Sequence, residues 1–142
     1  MTDLIPVTDL KQWAYCPRIV YYHRVLGDVA RPTFKMREAV AAQDLIERLE
    51  FRRGLRAYGL EAARRVFARW FSDPRLGLSG KVDLLLATET EVAPVDFKLT
   101  SAEVGENHRM QLTAYVMLAE AGTGLRGRHA FVYRIPDNRV FA

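Results

Sequence analysis

The stretch from Gly80 to Thr100 most constrains this chain, because it sets two apolar runs around a polar turn and places an acid in each. Asp83 interrupts Val82, Leu84, Leu85 and Leu86. Asp96 and Lys98 close the second run after Val92 and Val95, and Thr88, Glu89, Thr90 and Glu91 lie between. This spacing predicts a hairpin of two paired strands over residues 77–100. Side chains two apart on a strand share a face, so Asp96 and Lys98 point the same way, and antiparallel pairing brings Asp83 beside them. Asp-x-Lys is a common tripeptide and can be no more than a solvated strand face. A carboxylate in apolar surroundings, however, is costly unless paired or bound to a cation. The aliphatic setting therefore favours a site in which two carboxylates hold Mg²⁺ or Mn²⁺ and an amine orients water or stabilises a pentavalent phosphate.

Downstream, Gln111 and Tyr115 stand at i and i+4, which places an amide and a phenol on one face of a helix expected over 106–121, with His108 one turn earlier. Punctuation and periodicity organise the rest. Thr8 is a candidate cap for a helix beginning at Asp9, interrupted near Cys16–Pro17 and resumed through Tyr22 to Leu26 before Gly27. Met36, Val40, Ile46, Leu49 and Leu55 mark an apolar helical stripe from Thr33 to Tyr58, with Gly54 a weak point and Gly59 a stop. Residues 62–72 read as a strand, Asp73–Pro74 as a turn, and 128–135 as a last strand. The order is αβββαβ, an α/β (α+β) core with a mixed sheet flanked by helices.

These residues resemble the PD-(D/E)xK nuclease superfamily in its RecB-like branch: Gly80-Lys-Val-Asp83 resembles the first acidic motif, Asp96-Phe-Lys98 the acid-x-lysine motif, and Gln111-Leu-Thr-Ala-Tyr115 the Q-x-x-x-Y helix. The segment from Val7 to Arg24, with Cys16-Pro17-Arg18 at its centre, is similar to the CRISPR-associated "Cas four" exonuclease family, whose first cluster-ligating cysteine sits in such a segment. The resemblance implies a restriction-endonuclease-like fold and metal-dependent hydrolysis of DNA. It implies Asp83, Asp96 and the Phe97 carbonyl as metal ligands, Lys98 as the residue that positions water, and Gln111 and Tyr115 as its support or as backbone contacts. It also implies trimming of prespacer DNA with a single-stranded overhang, recognition of a protospacer-adjacent motif, and work beside the CRISPR integrase and its small partner protein. The arginine-rich helix Glu47–Arg56 and the GLSGKVDLLL phrasing resemble family members fused to that integrase.

Two features depart from the family pattern. Where a metal-binding His is usual, the register reads Gln43, whose carbonyl oxygen is a poorer ligand for a hard cation. Cys16 is the one cysteine, so a 4Fe-4S cluster needs three more from a longer native chain. The expected organisation is one domain over 1–142, with a helical segment at 1–30, a nuclease core at 31–142, and the C-terminal cluster region outside this chain.

Charge agrees with a polyanionic partner. The net charge is +4, and arginines crowd two segments, Arg52, Arg53, Arg56, Arg64, Arg65 and Arg69, then Arg126, Arg128, Arg134 and Arg139. A solvated helix face with ion pairs is the plainer reading of the first group. Arg18, Tyr22, His23 and Arg24, with Arg52 and Arg53, are candidate DNA contacts, aromatics stacking on bases and arginines meeting phosphates; Trp13 and Tyr21 are expected to be buried. A lone cysteine and the lack of a long apolar N-terminal run point to a cytoplasmic, non-membrane protein. Two alternatives fit the residues: a non-catalytic sensor of DNA ends with a weakened metal site, and a RecB-like repair nuclease.

Overall fold

The computed structural model describes residues 3–26, 47, 50, 54–98, 103–136 and 139–141, with the His23 side chain outside that description. The strands are β1 (Ile5–Pro6), β2 (Arg64–Asp73), β3 (Leu78–Ala87), β4 (Val92–Lys98), β5 (Phe131–Arg134) and β6 (Arg139–Phe141). The described α-helices are α1 (Val7–Tyr15), α2 (Pro17–Arg24) and α3 (Glu106–Thr123), and Leu55–Tyr58 form a 3₁₀ turn. The six strands among the described residues share one mixed sheet, in the order β1-β3-β4-β5-β6 with β2 on β3. The βββαβ part of the expected αβββαβ succession is present among the described residues, and β1 and β6 extend it.

The hairpin forms for the reasons its sequence carries. Val82, Leu84, Leu85, Leu86, Val92 and Val95 are all at most 1% exposed, because helices cover one face of β3 and β4 and a second cluster covers the other. Thr88 closes the turn: its N–H donates to the Glu91 carbonyl at 2.9 Å and its hydroxyl accepts the Glu91 N–H at 2.9 Å. The preceding turn is held by Asp73, whose Oδ1 accepts the Arg75 and Leu76 N–H groups, and Gly77 supplies the positive φ of 70°. From β4 the chain crosses through α3 to β5, which pairs in parallel with β4 from Val95↔Phe131 to Lys98↔Arg134. β5 is therefore shorter than the 128–135 expected.

β2 and β3 carry a break that periodicity does not reveal. Their antiparallel ladder runs from Arg64↔Ala87 to Asp73↔Leu78 and skips the pair Ala68 and Asp83. Ala68 has φ 50°, in the left-handed region that costs an L-residue about 1–2 kcal/mol. Both strands exchange faces across this point. Phe67, Leu84 and Leu86 pack with Tyr58, Val95 and Phe131. Phe71 and Val82 instead pack with Val7, Tyr115 and Leu118 under the helices.

Several expectations are corrected. α1 starts at Val7 with Pro6 in the capping position, not at a Thr8 cap, because Val7 is fully buried against the sheet and packing sets the first turn. The helix expected through Tyr58 does not run past Gly54, which is extended (ψ 149°), and Leu55–Tyr58 turn as 3₁₀ until Gly59 closes them with φ 70°. Glu47 and Glu50 are helical, and the other residues from Thr33 to Arg53 of the expected helix lie outside the described residues. Trp13 and Tyr21 are exposed by more than half: α1 turns Val7 and Leu10 toward the core and leaves the Trp13 ring outside, and no described residue of α2, which carries Tyr21, joins the buried clusters. The interruption at Cys16 stands: Cys16 is extended, and Pro17, lacking an N–H to satisfy, opens α2.

Candidate active site

The site lies where β3 and β4 part. Their ladder ends at Leu84↔Val95, so the next opposed residues are Asp83 and Asp96, and no backbone bond joins them. β1 pairs with β3 at Leu78 and Ser79, opposite Asp73 and Ser72 of β2, so β1 and β4 share one edge of β3 and a gap opens between them. Asp83 fills that gap: its Oδ2 accepts the Phe97 N–H at 3.1 Å, replacing the ladder carbonyl that β3 no longer offers. N–H and C=O of one extended residue point to the same edge, so the Phe97 carbonyl faces the gap as well.

On β4, Asp96 is 6% exposed and its Oδ2 lies 2.6 Å from Lys98 Nζ. Lys98 Nζ donates to Gln111 Oε1 at 3.3 Å, and Gln111 Nε2 donates to the Tyr115 hydroxyl at 3.4 Å. The strand period of two and the helix period of four thus bring all five expected residues, Asp83, Asp96, Lys98, Gln111 and Tyr115, into one chain of contacts. Gly80 makes the approach possible, since a Cβ there would stand 2.9 Å from Tyr115 Cε1 and 3.1 Å from Val7 Cγ2. His108 serves the helix terminus instead, its Nδ1 accepting the Gly105 N–H at 3.2 Å.

Burial and crowding of like charges shape the ionisation. Burial, then the Asp96 charge and their shared hydrogen bond, push the Asp83 carboxyl up to about 7, against the opposing pull of the Phe97 N–H and Lys98. Burial raises Tyr115 to about 12, so its phenol keeps its proton. Burial and the nearby Lys98 and Lys11 cations lower His108.

One residue of the site was not foreseen. Lys11 of α1 reaches the same cluster, within side-chain hydrogen-bonding range of Lys98, and burial followed by the Lys98 charge brings it down to about 8. Lys11 stands four residues from Val7 on α1, and only the packing that buries Val7 reveals that this face of the helix meets the site. A second unforeseen group is buried Glu50, which accepts hydrogen bonds from Tyr58 at 3.0 Å and Arg65 at 3.3 Å. Arg65, counted with the polyanion-binding arginines, is engaged by this carboxylate.

The other candidates are more scattered. Arg18 and Tyr22 are exposed on α2, Tyr22 edge-on to Tyr21. Arg24 is tied to Asp9 at 2.6 Å rather than free for phosphate. Gln43, Arg52, Arg53 and the His23 side chain lie outside the described residues. Cys16 is half-buried at the α1–α2 junction.

The donors at the fork fit a hard divalent cation. Asp96 Oδ2 is buried and receives no hydrogen bond among the described residues, its close neighbour being the Lys98 amine. Two carboxylates and a carbonyl are an all-oxygen set of the kind that binds Mg²⁺ or Mn²⁺ together with retained waters. Among the described residues no three His, Cys, Asp or Glu side chains converge.

A family profile described as the PD-(D/E)XK nuclease superfamily matches residues 17–140. The chain belongs to that superfamily. Nucleases of this superfamily generally use divalent metals. Within it the relatives are Cas4 proteins. The chain is 34% identical over 116 residues to the CRISPR-associated exonuclease Cas4 of Francisella tularensis subsp. novicida, covering 82% of this chain and 59% of that protein. It is 27% identical to the CRISPR-associated exonuclease Cas4 of Aeropyrum pernix, covering 96% of this chain and 70% of the relative. It is 30% identical to a CRISPR-associated exonuclease Cas4/endonuclease Cas1 fusion of Geobacter sulfurreducens, of which it spans 21%. The solved structure of SSO0001 shares the fold, with a TM-score of 0.55 and 22% identity over 99% of this chain and 66% of that one. No described helix is long and apolar enough to cross a membrane.

Proposed function

We propose that this chain is the nuclease portion of a Cas4-type protein that trims prespacer DNA ends by metal-dependent phosphodiester hydrolysis and helps the integrase recognise the adjacent motif. The observation that carries this reading is the opposed pair Asp83 and Asp96 at the strand fork, with Lys98 held at 2.6 Å from Asp96. Asp83, Asp96 and the Phe97 carbonyl would hold Mg²⁺ or Mn²⁺. When bound, that cation would supply positive charge to the phosphate and lower the pKa of water beside it.

The chain's own groups would do the positioning. The Lys98 amine donates to Gln111 Oε1 and lies 2.6 Å from Asp96 Oδ2, so that it is held beside the position of the attacking water or of a non-bridging phosphate oxygen. Gln111 is aligned in turn by the Tyr115 hydroxyl, which keeps its proton and can donate it to phosphate. Arg18 and Tyr22 would meet the overhang. Gln43 is proposed as an outer ligand, and Cys16 as one ligand of a 4Fe-4S cluster if a longer native chain brings three more cysteines. The name of the Geobacter sulfurreducens protein, a fusion with endonuclease Cas1, supports an association with the integrase; work beside the integrase's small partner protein is part of the same proposal.

The test is cleavage of a duplex with a single-stranded overhang. We expect degradation in Mg²⁺ or Mn²⁺, none in EDTA, and a loss of at least 100-fold in Asp96→Ala and Lys98→Ala. Undiminished cleavage in EDTA would refute the metal role. Tight, metal-independent binding without cleavage by the wild type would favour a DNA-end sensor.

A further inference from the structure

We propose that Lys11 is a substrate-binding residue of this site, its amine pairing with Lys98 to grip a phosphate of the bound DNA strand; this rests on the proposed nuclease function. Val7, fully buried, packs against the Gly80 and Tyr115 side of the site, and Leu10 packs on the same core. Lys11 follows Val7 by one helical turn and is half-buried, and the groups its amine interacts with are Lys98, Asp96 and Asp83 at the carboxylate fork.

What the amine meets there argues against a purely structural lysine. Its side-chain partner is Lys98, a second amine. Lys98 is already held by Asp96 at 2.6 Å and by Gln111 at 3.3 Å. The acid on Lys11's own helix, Asp9, is taken by Arg24 at 2.6 Å. Two amines brought to one point repel each other unless an anion comes between them. A non-bridging phosphate oxygen, with lone pairs to accept from both, is such an anion, and a nuclease substrate delivers it to this place. The attraction of Asp83 and Asp96 keeps the pair near the fork in the meantime.

The experiment uses the 142-residue chain as wild type, Lys11→Met and Lys11→Arg, with a fluorescent single-stranded oligonucleotide in Ca²⁺ for binding and in Mg²⁺ or Mn²⁺ for cleavage. We expect Lys11→Met to keep its fold, bind about tenfold more weakly, and lower the slope of log K against log salt by about 0.7, the value of one phosphate contact on a single strand. Lys11→Arg should restore most of both. A merely structural lysine would change the melting temperature and leave the salt slope alone. Should Lys11→Met fail to fold, wild-type amine labelling read by mass spectrometry decides: bound oligonucleotide must slow labelling of Lys11 and not of exposed Lys81. Unchanged binding and salt slope in folded Lys11→Met, or unprotected Lys11 in the wild type, would overturn the proposal while leaving wild-type cleavage intact. A wild type that neither binds nor cleaves the oligonucleotide would overturn the nuclease reading and this role together.

Discussion

Asp83 holds its proton far above the usual carboxylate range, and this makes the site a source of instability that can be measured without any substrate. Its pKa rises from an ordinary 3.8 to about 7 in the folded chain. At about 1.4 kcal/mol for each pH unit separating folded and unfolded values, the ionised folded state is penalised by about 4 kcal/mol. The folded state binds the proton more tightly, so this stability is fully present below the unfolded pKa and is lost as pH rises through about 7. Asp83→Asn keeps an oxygen to accept the Phe97 N–H and has no charge to bury. In EDTA the variant should match the wild type near pH 4 and exceed it by up to about 4 kcal/mol at pH 8, about 10–15 °C in melting temperature for a chain of 142 residues. Burial is the larger cause and the Asp96 charge the second, so Asp96→Asn should shift the wild-type slope toward lower pH without abolishing it. Mg²⁺ should then stabilise the wild type at pH 8 and leave Asp83→Asn unmoved, by mass action on the folded state. Thermal melts across pH, with and without Mg²⁺, read all of this. Equal pH slopes for wild type and Asp83→Asn, or a less stable Asp83→Asn at pH 8 in EDTA, would refute the reasoning.

Two further outcomes follow from backbone geometry. Gly80→Ala would press a methyl against Tyr115 and Val7, and overpacking of this kind costs about 1–3 kcal/mol. Cleavage assayed well below the melting temperature should fall further than the stability loss explains, since Tyr115 is pushed from Gln111; unchanged cleavage and melting would show that the helix simply yields. At Ala68, with φ 50°, Gly should stabilise by about 0.5–1 kcal/mol and Val destabilise by about 1–2 kcal/mol. Strand propensity alone ranks these residues the other way, so a urea-melt order of Val above Ala above Gly would refute the cost assigned to the left-handed kink opposite Asp83.

Local chemistry was enough to read much of this protein from its residues. The hairpin, its Thr88–Glu91 turn and the shared face of Asp96 and Lys98 follow from a period of two. The pairing of Gln111 with Tyr115 follows from a period of four, and the break before α2 from Pro17. These features need only neighbours in sequence, which is why they were legible without a fold. Gly80 was recognised as part of a motif, yet its purpose, room for Tyr115 and Val7, appears only when a helix and a strand far apart in sequence meet. Trp13 and Tyr21 were expected inside and stand outside, because which face of a short helix is covered depends on what packs against it. The exchange of faces at Ala68 and Asp83 breaks the alternation on which any strand reading relies. Tertiary structure alone brought Lys11 from the first helix to the carboxylates, and it alone raised Asp83 to about 7. Desolvation and the approach of charges are properties of the space around a residue, and that space is made by segments the sequence lists far apart.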